Sequence, residues 1–270
     1  MQALQIAEKS GVPYLYLPSW EQSGVCGHGF SLRFVRGGSG KKDSFDLGFK
    51  GGEKQAKVWE NRARFLSVRG RDPQDLFCGE QIHGDGITLI GQRELRGGLR
   101  VFPSADGLIT SEKEAVLGAL SADCLIIYFL EPDIPLAAIA HAGWRGACRG
   151  IAWRVVEIMK KEYGAKPEKI QALFSPSIAP CCYEVGEEVI ESCSGSHWSK
   201  EMVLHNSGRS GHYYFDLQAS NRNILLEAGI RASCIFDNNY CTKCNYNLFF
   251  SYRGAGGVIQ GIHMGIIFLK

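Results

Sequence analysis

The 270-residue sequence has no long apolar run. Its longest runs, such as residues 125–130, fall far short of the about 20 residues that a membrane-spanning helix needs, so no membrane partner is expected. It has no excess of charge of either sign: 30 Lys and Arg stand against 28 Asp and Glu, a formal net charge of +2. That balance gives no reason to expect a nucleic-acid partner. There is no repeat, low-complexity stretch or Pro/Ser linker. The N-terminal segment carries Glu8 and Lys9 where a secretory signal needs an apolar core, so a cytoplasmic chain folded as one domain over residues 1–270 is expected. Histidine is scarce too, with seven residues and no H-x-H pair. That argues against several copper ions held by clustered imidazoles.

What the sequence has in quantity is glycine, with 33 residues, and cysteine, with 10. Many glycines lie beside His, Asp and Cys, which suggests tight turns around a site. The cysteines, in a long chain without a signal, read as free thiols with some serving as metal ligands. Cys181 and Cys182 are adjacent. Cys241-Thr-Lys-Cys244 is a lone C-x-x-C, and a four-ligand structural site needs a second pair nearby. Surface or redox-idle thiols are the plainer reading of the C-x-x-C pair, and Cys181 and Cys182 lie in a Pro- and Gly-flanked segment that could approach the site.

Hydrophobic periodicity predicts strands over 14–17, 30–35, 76–83 and 87–90, and a helix over 54–66. Residues 111–120 read as a helix with Ser111 and Glu114 as a capping box. Residues 124–129 and 136–140 are almost continuously apolar, as in strands buried on both faces. An amphipathic helix follows over 149–163, ending at Gly164. Then come a strand over 170–174, a helix over 185–193, a helix over 217–228 capped by Asp216, and a last strand over 265–269. Strands and helices without a strict alternation argue for an α/β or α+β sandwich, mixed sheets flanked by helices.

Three segments put a metal-binding side chain at the edge of a predicted strand: Gln81-Ile82-His83-Gly84, Ala122-Asp123-Cys124-Leu125 and His141-Ala142-Gly143-Trp144-Arg145-Gly146. Zinc suits His83, Cys124 and His141, because it prefers nitrogen and sulfur ligands in a tetrahedron. Three protein ligands leave the fourth position for water or substrate. Taken singly, each residue has a blander account: a hydrogen-bonded turn histidine, or a packed cysteine opening a strand. His28, His197, His205 and His212 lie in polar stretches and read as solvated.

Read together, Asn61-Arg62, QIHG at 81–84, ADGLIT at 105–110, SADCLIIYF at 121–129, HAGWRG at 141–146, PSIAPCCYEVG at 176–186, FDLQASNRNILLEAGI at 215–230 and FFSYRG at 249–254 resemble the motif series of the YfiH-type family. That family was long labelled multicopper polyphenol oxidase or laccase-domain protein, and its members are now understood as purine nucleoside phosphorylases that also deaminate adenosine. The resemblance runs from about residue 20 to the end, in the family's order. It implies a single-domain α/β sandwich with zinc held by His83, Cys124 and His141. Implied substrates are adenosine, inosine, guanosine or methylthioadenosine with phosphate. Implied products are the free base and ribose 1-phosphate or its methylthio analogue.

The residues suit that chemistry. Phosphate must be held close to C1′ in the correct orientation, and arginine offers it a bidentate fork, which makes Arg62, Arg145 and Arg253 the candidates. Asp123, beside Cys124, is a candidate base or orienter of the metal ligands, and Gln81 a candidate contact to base or sugar. The chain departs from the family pattern where an arginine is usual near the last strand. It has Gly261-Ile262-His263 there, which leaves that role vacant or passes it to His263, and Arg253 is followed by Gly254 rather than a second arginine. Two other activities are open. One is a copper-dependent phenol oxidase, although copper at the His/Cys/His set is better read as adventitious. The other is a hydrolase using Cys124 as nucleophile, for example on peptidoglycan precursors. A metal-dependent binding protein that turns nothing over is a third possibility. The assembly expected is a monomer or a homodimer.

Overall fold

The computed structural model describes residues 4–37, 42–51 and 53–270. A seven-stranded sheet runs in the order Gln5–Lys9, Val12–Tyr16, Cys26–Ser31, His263–Leu269, Val116–Ser121, Leu76–Gly79, Val101–Phe102. A six-stranded sheet runs Ile235–Phe236, Gln171–Phe174, Leu125–Glu131, Leu136–Ala142, Gly107–Thr110, Ile87–Ile90.

The period-2 alternation of the central strands explains how the sheets stack. On Leu125–Glu131, Leu125, Ile127 and Phe129 pack with Val155, Met159 and Ile224 from the helices Ile151–Tyr163 and Leu217–Glu227. Ile126, Tyr128 and Leu130 point the other way, against Leu117, Ala119 and Ile267 of the seven-stranded sheet. The far face of that sheet, with Val116, Met264, Ile266 and Phe268, is covered by Phe65, Leu66 and Val68 of the helix Gln55–Val68. The result is helix, sheet, sheet, helices: the expected α/β sandwich, with strands buried on both faces and therefore apolar throughout.

Most predicted elements appear with shifted ends, but one changes type. Residues 111–120 contain no helix; Val116–Ser121 is a strand, antiparallel to His263–Leu269 from Val116 opposite Phe268 to Ser121 opposite His263, and parallel to Leu76–Gly79. The capping-box pattern at Ser111 and Glu114 is local. Burial of the VLGALS run between two strands is worth more than helix propensity. The predicted helix over 149–163 starts later, because Gly150 adopts φ 74° and separates Trp144–Cys148 from Ile151–Tyr163. The cysteines are not all free: Cys148 and Cys193 are disulfide-bonded, their Cα atoms 5.1 Å apart. No described helix is long and apolar enough to cross a membrane.

Candidate metal centre

His141 lies on the strand Leu136–Ala142, opposite Ile126 of the strand that Cys124 precedes, so the sheet register itself brings these two side chains together. His83 comes from the segment after Leu76–Gly79, beyond the end of its strand and in a left-handed conformation (φ 61°). The ligand atoms of His83, Cys124 and His141 all lie within 4.8 Å of one another. The two imidazoles meet edge to face at 82°, centroids 4.8 Å apart. His141 is buried, Cys124 half-buried and His83 exposed, so the cluster is closed on the sheet side and open on the His83 side.

One carboxylate organises two of the three ligands. Buried Asp106 accepts the Nδ1–H of His141 at 2.9 Å, and it also accepts the backbone N–H groups of Ile82 at 3.2 Å, His83 at 3.0 Å and Gly84 at 2.8 Å. The first bond leaves Nε2 of His141 as the free electron pair of the neutral ring. The other three hold the turn in which His83 has positive φ, a conformation that costs a non-glycine residue roughly 1–3 kcal/mol. Asp106 was not singled out from the sequence. Its signal was its place in ADGLIT, where an acid is buried among apolar strand residues.

Cys124 is fixed from the other side. Asp123 before it has φ 101°. Its carboxylate accepts the hydroxyl of Thr242 at 2.5 Å and the backbone N–H of Arg253 at 2.7 Å, while its carbonyl accepts the N–H of Ile178 at 2.8 Å. Both carboxylate oxygens of Asp123 are thus engaged, tying the Cys124 loop to the segment 242–253. Gly143 faces the cluster: a Cβ there would stand 3.0 Å from the Cys124 sulfur and 3.3 Å from Cδ2 of His83. Burial works against ionisation of Cys124, but the charge and hydrogen bond of His141, reinforced by His83, bring its pKa down to about 6. Burial likewise opposes protonation of His141, and the Cys124 charge together with the Asp106 hydrogen bond lifts its pKa to about 9. Without a metal this is a thiolate–imidazolium pair near neutrality. Two imidazoles and a thiolate with one open side form a donor set that fits a borderline divalent ion.

Residues 27–270 match the family described as multi-copper polyphenol oxidoreductase laccase. The chain belongs to that family. Among its relatives, purine nucleoside phosphorylase YlmD of Geobacillus stearothermophilus is 34% identical over 218 residues, covering 79% of this chain and 80% of that protein. Adenosine deaminase RL5, from an unknown prokaryotic organism, is 32% identical over 209 residues, covering 76% and 79%. The crystal structure of YlmD from Geobacillus stearothermophilus superposes with a TM-score of 0.86 at 29% identity, covering 98% of each chain.

The other expected residues lie in different surroundings. Arg145 lies against the Trp144 ring, 4.1 Å from its centroid, and lines a cavity of about 380 Å³ with Asp85, Arg149, Ser196 and His197. Arg149, missed from the sequence, reaches the same place: its Nη1 is 3.6 Å from where a Cβ on Gly84 would sit. Its signal was a position one helical turn beyond Arg145. Arg253 gives its Nη1 to the carbonyl of Glu184 at 2.8 Å and lies 5.2 Å from the Tyr183 ring. Tyr183, also missed, is buried close enough to Cys124, Asp123, Arg253 and Arg145 to feel their charges. Burial first, then the thiolate, raises its phenol pKa well above the ordinary value.

Other expected residues serve the scaffold. Arg62 is buried, with Nε donating to the carbonyl of Leu47 at 2.8 Å and its guanidinium 4.5 Å from the Phe49 ring centroid. Both ends of the Gln81 amide are taken by the backbone of Leu120, each at 2.7 Å, so this side chain continues the sheet beyond Leu76–Gly79. His28 is buried and not solvated; its Nε2 accepts the N–H of Leu17 at 2.8 Å. His263 is also buried, accepting the N–H of Phe250 at 2.7 Å, so it does not replace an arginine at the pocket. His28 was misread because polar neighbours in sequence say little about a residue on an internal strand, whereas buried His263 fits the other alternative, a vacant arginine role.

Proposed function

We propose that the chain is a zinc-dependent purine nucleoside phosphorylase that splits adenosine, inosine, guanosine or methylthioadenosine with phosphate, and that it deaminates adenosine at the same centre. The observation that carries the reading is the three-ligand set His83, Cys124 and His141, backed by Asp106 and open on one side. The names borne by the relatives, a purine nucleoside phosphorylase and an adenosine deaminase, point the same way. Bound there, zinc supplies a Lewis acid and lowers the pKa of a water molecule.

The chain's own residues do the rest. In phosphorolysis a phosphate oxygen bonds to C1′ while the N-glycosidic pair leaves with the purine, which then takes up a proton. Arg145 and Arg149 hold the phosphate and neutralise its charge. Tyr183, kept protonated by burial, donates a hydrogen bond to the leaving purine. Asp106 keeps His141 in one tautomer, and Asp123 keeps the Cys124 loop in place.

The test follows free base released from adenosine, inosine and methylthioadenosine, with and without phosphate, by protein of measured metal content. Phosphate-dependent release lost together with zinc in Cys124→Ala supports the proposal. Base release undiminished in zinc-free protein overturns it. The low pKa of Cys124 beside protonated His141 favours a second reading, a hydrolase with the thiolate as nucleophile. A metal-bound thiolate is unavailable for that attack, so a covalent Cys124 adduct in zinc-free, active protein selects it. The copper oxidase implied by the family's description has less to rest on, with seven histidines in the whole chain.

A further inference from the structure

The C-x-x-C pair finds the second pair it lacked in the sequence. The segment Cys181-Cys182 packs against Cys241 and Cys244, and the four sulfurs lie within 4.8 Å of one another. Three of the separations are 3.8 Å for Cys181 to Cys182, 3.6 Å for Cys181 to Cys244 and 3.4 Å for Cys182 to Cys244. These are far beyond a disulfide bond of about 2.05 Å. They are close to the edge of a tetrahedron of thiolates around zinc, which is about 3.8 Å for a zinc–sulfur bond of about 2.3 Å.

The backbone joins the two segments directly, with Ser177 and Cys241 forming an isolated parallel bridge and Thr242 N–H reaching the Ser177 carbonyl at 3.0 Å. All four donors are sulfur, and among the described residues no histidine or carboxylate joins the group.

We propose that Cys181, Cys182, Cys241 and Cys244 form a second, structural zinc site of four thiolates, distinct from the His83/Cys124/His141 centre. Four protein ligands close the coordination sphere, so this site has no position for substrate. Its task is to clip residues 176–183 to residues 241–249. Each clipped segment carries a residue of the first centre's wall. Tyr183 follows Cys182 directly, and Thr242 follows Cys241 and donates to Asp123.

Metal analysis of purified protein tests this. Wild type is expected to hold about two zinc ions per chain, Cys124→Ala about one, Cys181→Ser/Cys244→Ser about one, and the triple variant close to none. To allow for a double variant that does not fold, Cys124→Ala is also reconstituted with cobalt, where strong thiolate-to-cobalt absorption is expected. Wild type and Cys181→Ser/Cys244→Ser holding equal zinc overturns the proposal. So do cobalt-loaded Cys124→Ala without thiolate absorption, iron in place of zinc at these thiols, or disulfides among the four cysteines in protein isolated under non-reducing conditions.

Discussion

The two groups of soft ligands differ in how the fold presents them. His83, Cys124 and His141 converge at the ends of internal strands, with a buried carboxylate behind them and one exposed face. The four cysteines sit on irregular segments, two of them exposed, and supply a complete donor set. The first arrangement is rigid and incomplete, as suits chemistry at an open position. The second is complete and lies where the chain has no strand or helix to fix it, as suits a cross-link. The difference teaches that openness, and not the number of soft ligands, separates a reactive centre from a structural one.

That contrast breaks most visibly at Cys124. Cys124→Ala is expected to lower phosphate-dependent base release by roughly a thousandfold or more, the several kcal/mol that a catalytic metal contributes. Its melting temperature should fall to that of zinc-stripped wild type, because the bound ion stabilises the folded state while the hydrogen-bonded scaffold behind the ligand stays intact. Asp106→Asn comes next. It removes the charge behind His141 and turns one acceptor into a donor facing the 82–84 amides, so zinc affinity measured by competition with a chelator should fall about 10–100-fold. Gly143→Ala sharpens the comparison further. A methyl group 3.0 Å from the Cys124 sulfur forces a shift of a few tenths of an ångström. A drop in kcat/KM of roughly tenfold is expected, with the zinc stoichiometry of the cysteine cluster untouched. Unchanged kinetics in Gly143→Ala would mean that substrate does not depend on the placement of Cys124.

Much of this was legible in the sequence where periodicity and residue type speak together. The apolar runs that become Leu125–Glu131 and Leu136–Ala142 announced buried strands, with His83, Cys124 and His141 at the edges of predicted strands, and the resemblance to the YfiH-type family is what singled these three out as ligands. The strand Val116–Ser121 was misread because a helix start signal lies just ahead of it and its burial depends on strands distant in sequence. The role of Asp106 was hidden for the same reason, while Asp123 was singled out as a base or orienter without its partners. An aspartate that accepts backbone amides has no spacing rule, and its partners, such as Arg253 for Asp123, lie far along the chain. The pairing of Cys181-Cys182 with Cys241 and Cys244 was equally invisible, since two thiol pairs about 60 residues apart meet only through the fold.

The smallest predicted effect contrasts the histidines that hold nothing with those at the centre. His28 and His263 are buried, and burial is the main cause that lowers each pKa to about 3. In each ring Nε2 already accepts a backbone N–H, so protonation would set two donors against each other. The folded state therefore keeps both rings neutral, whereas the unfolded chain protonates them below about pH 6.5. Their contribution to stability is complete above that pH and is lost progressively as the pH falls from about 6.5 towards 3. Each ring adds at most about 1.4 kcal/mol per pH unit to that slope. Urea midpoints measured between pH 7 and pH 4.5 should fall with decreasing pH, and His28→Gln should flatten the slope by about one ring's share. The same profile in wild type and His28→Gln would show that His28 is protonated in the folded core, against the hydrogen bond it accepts from Leu17.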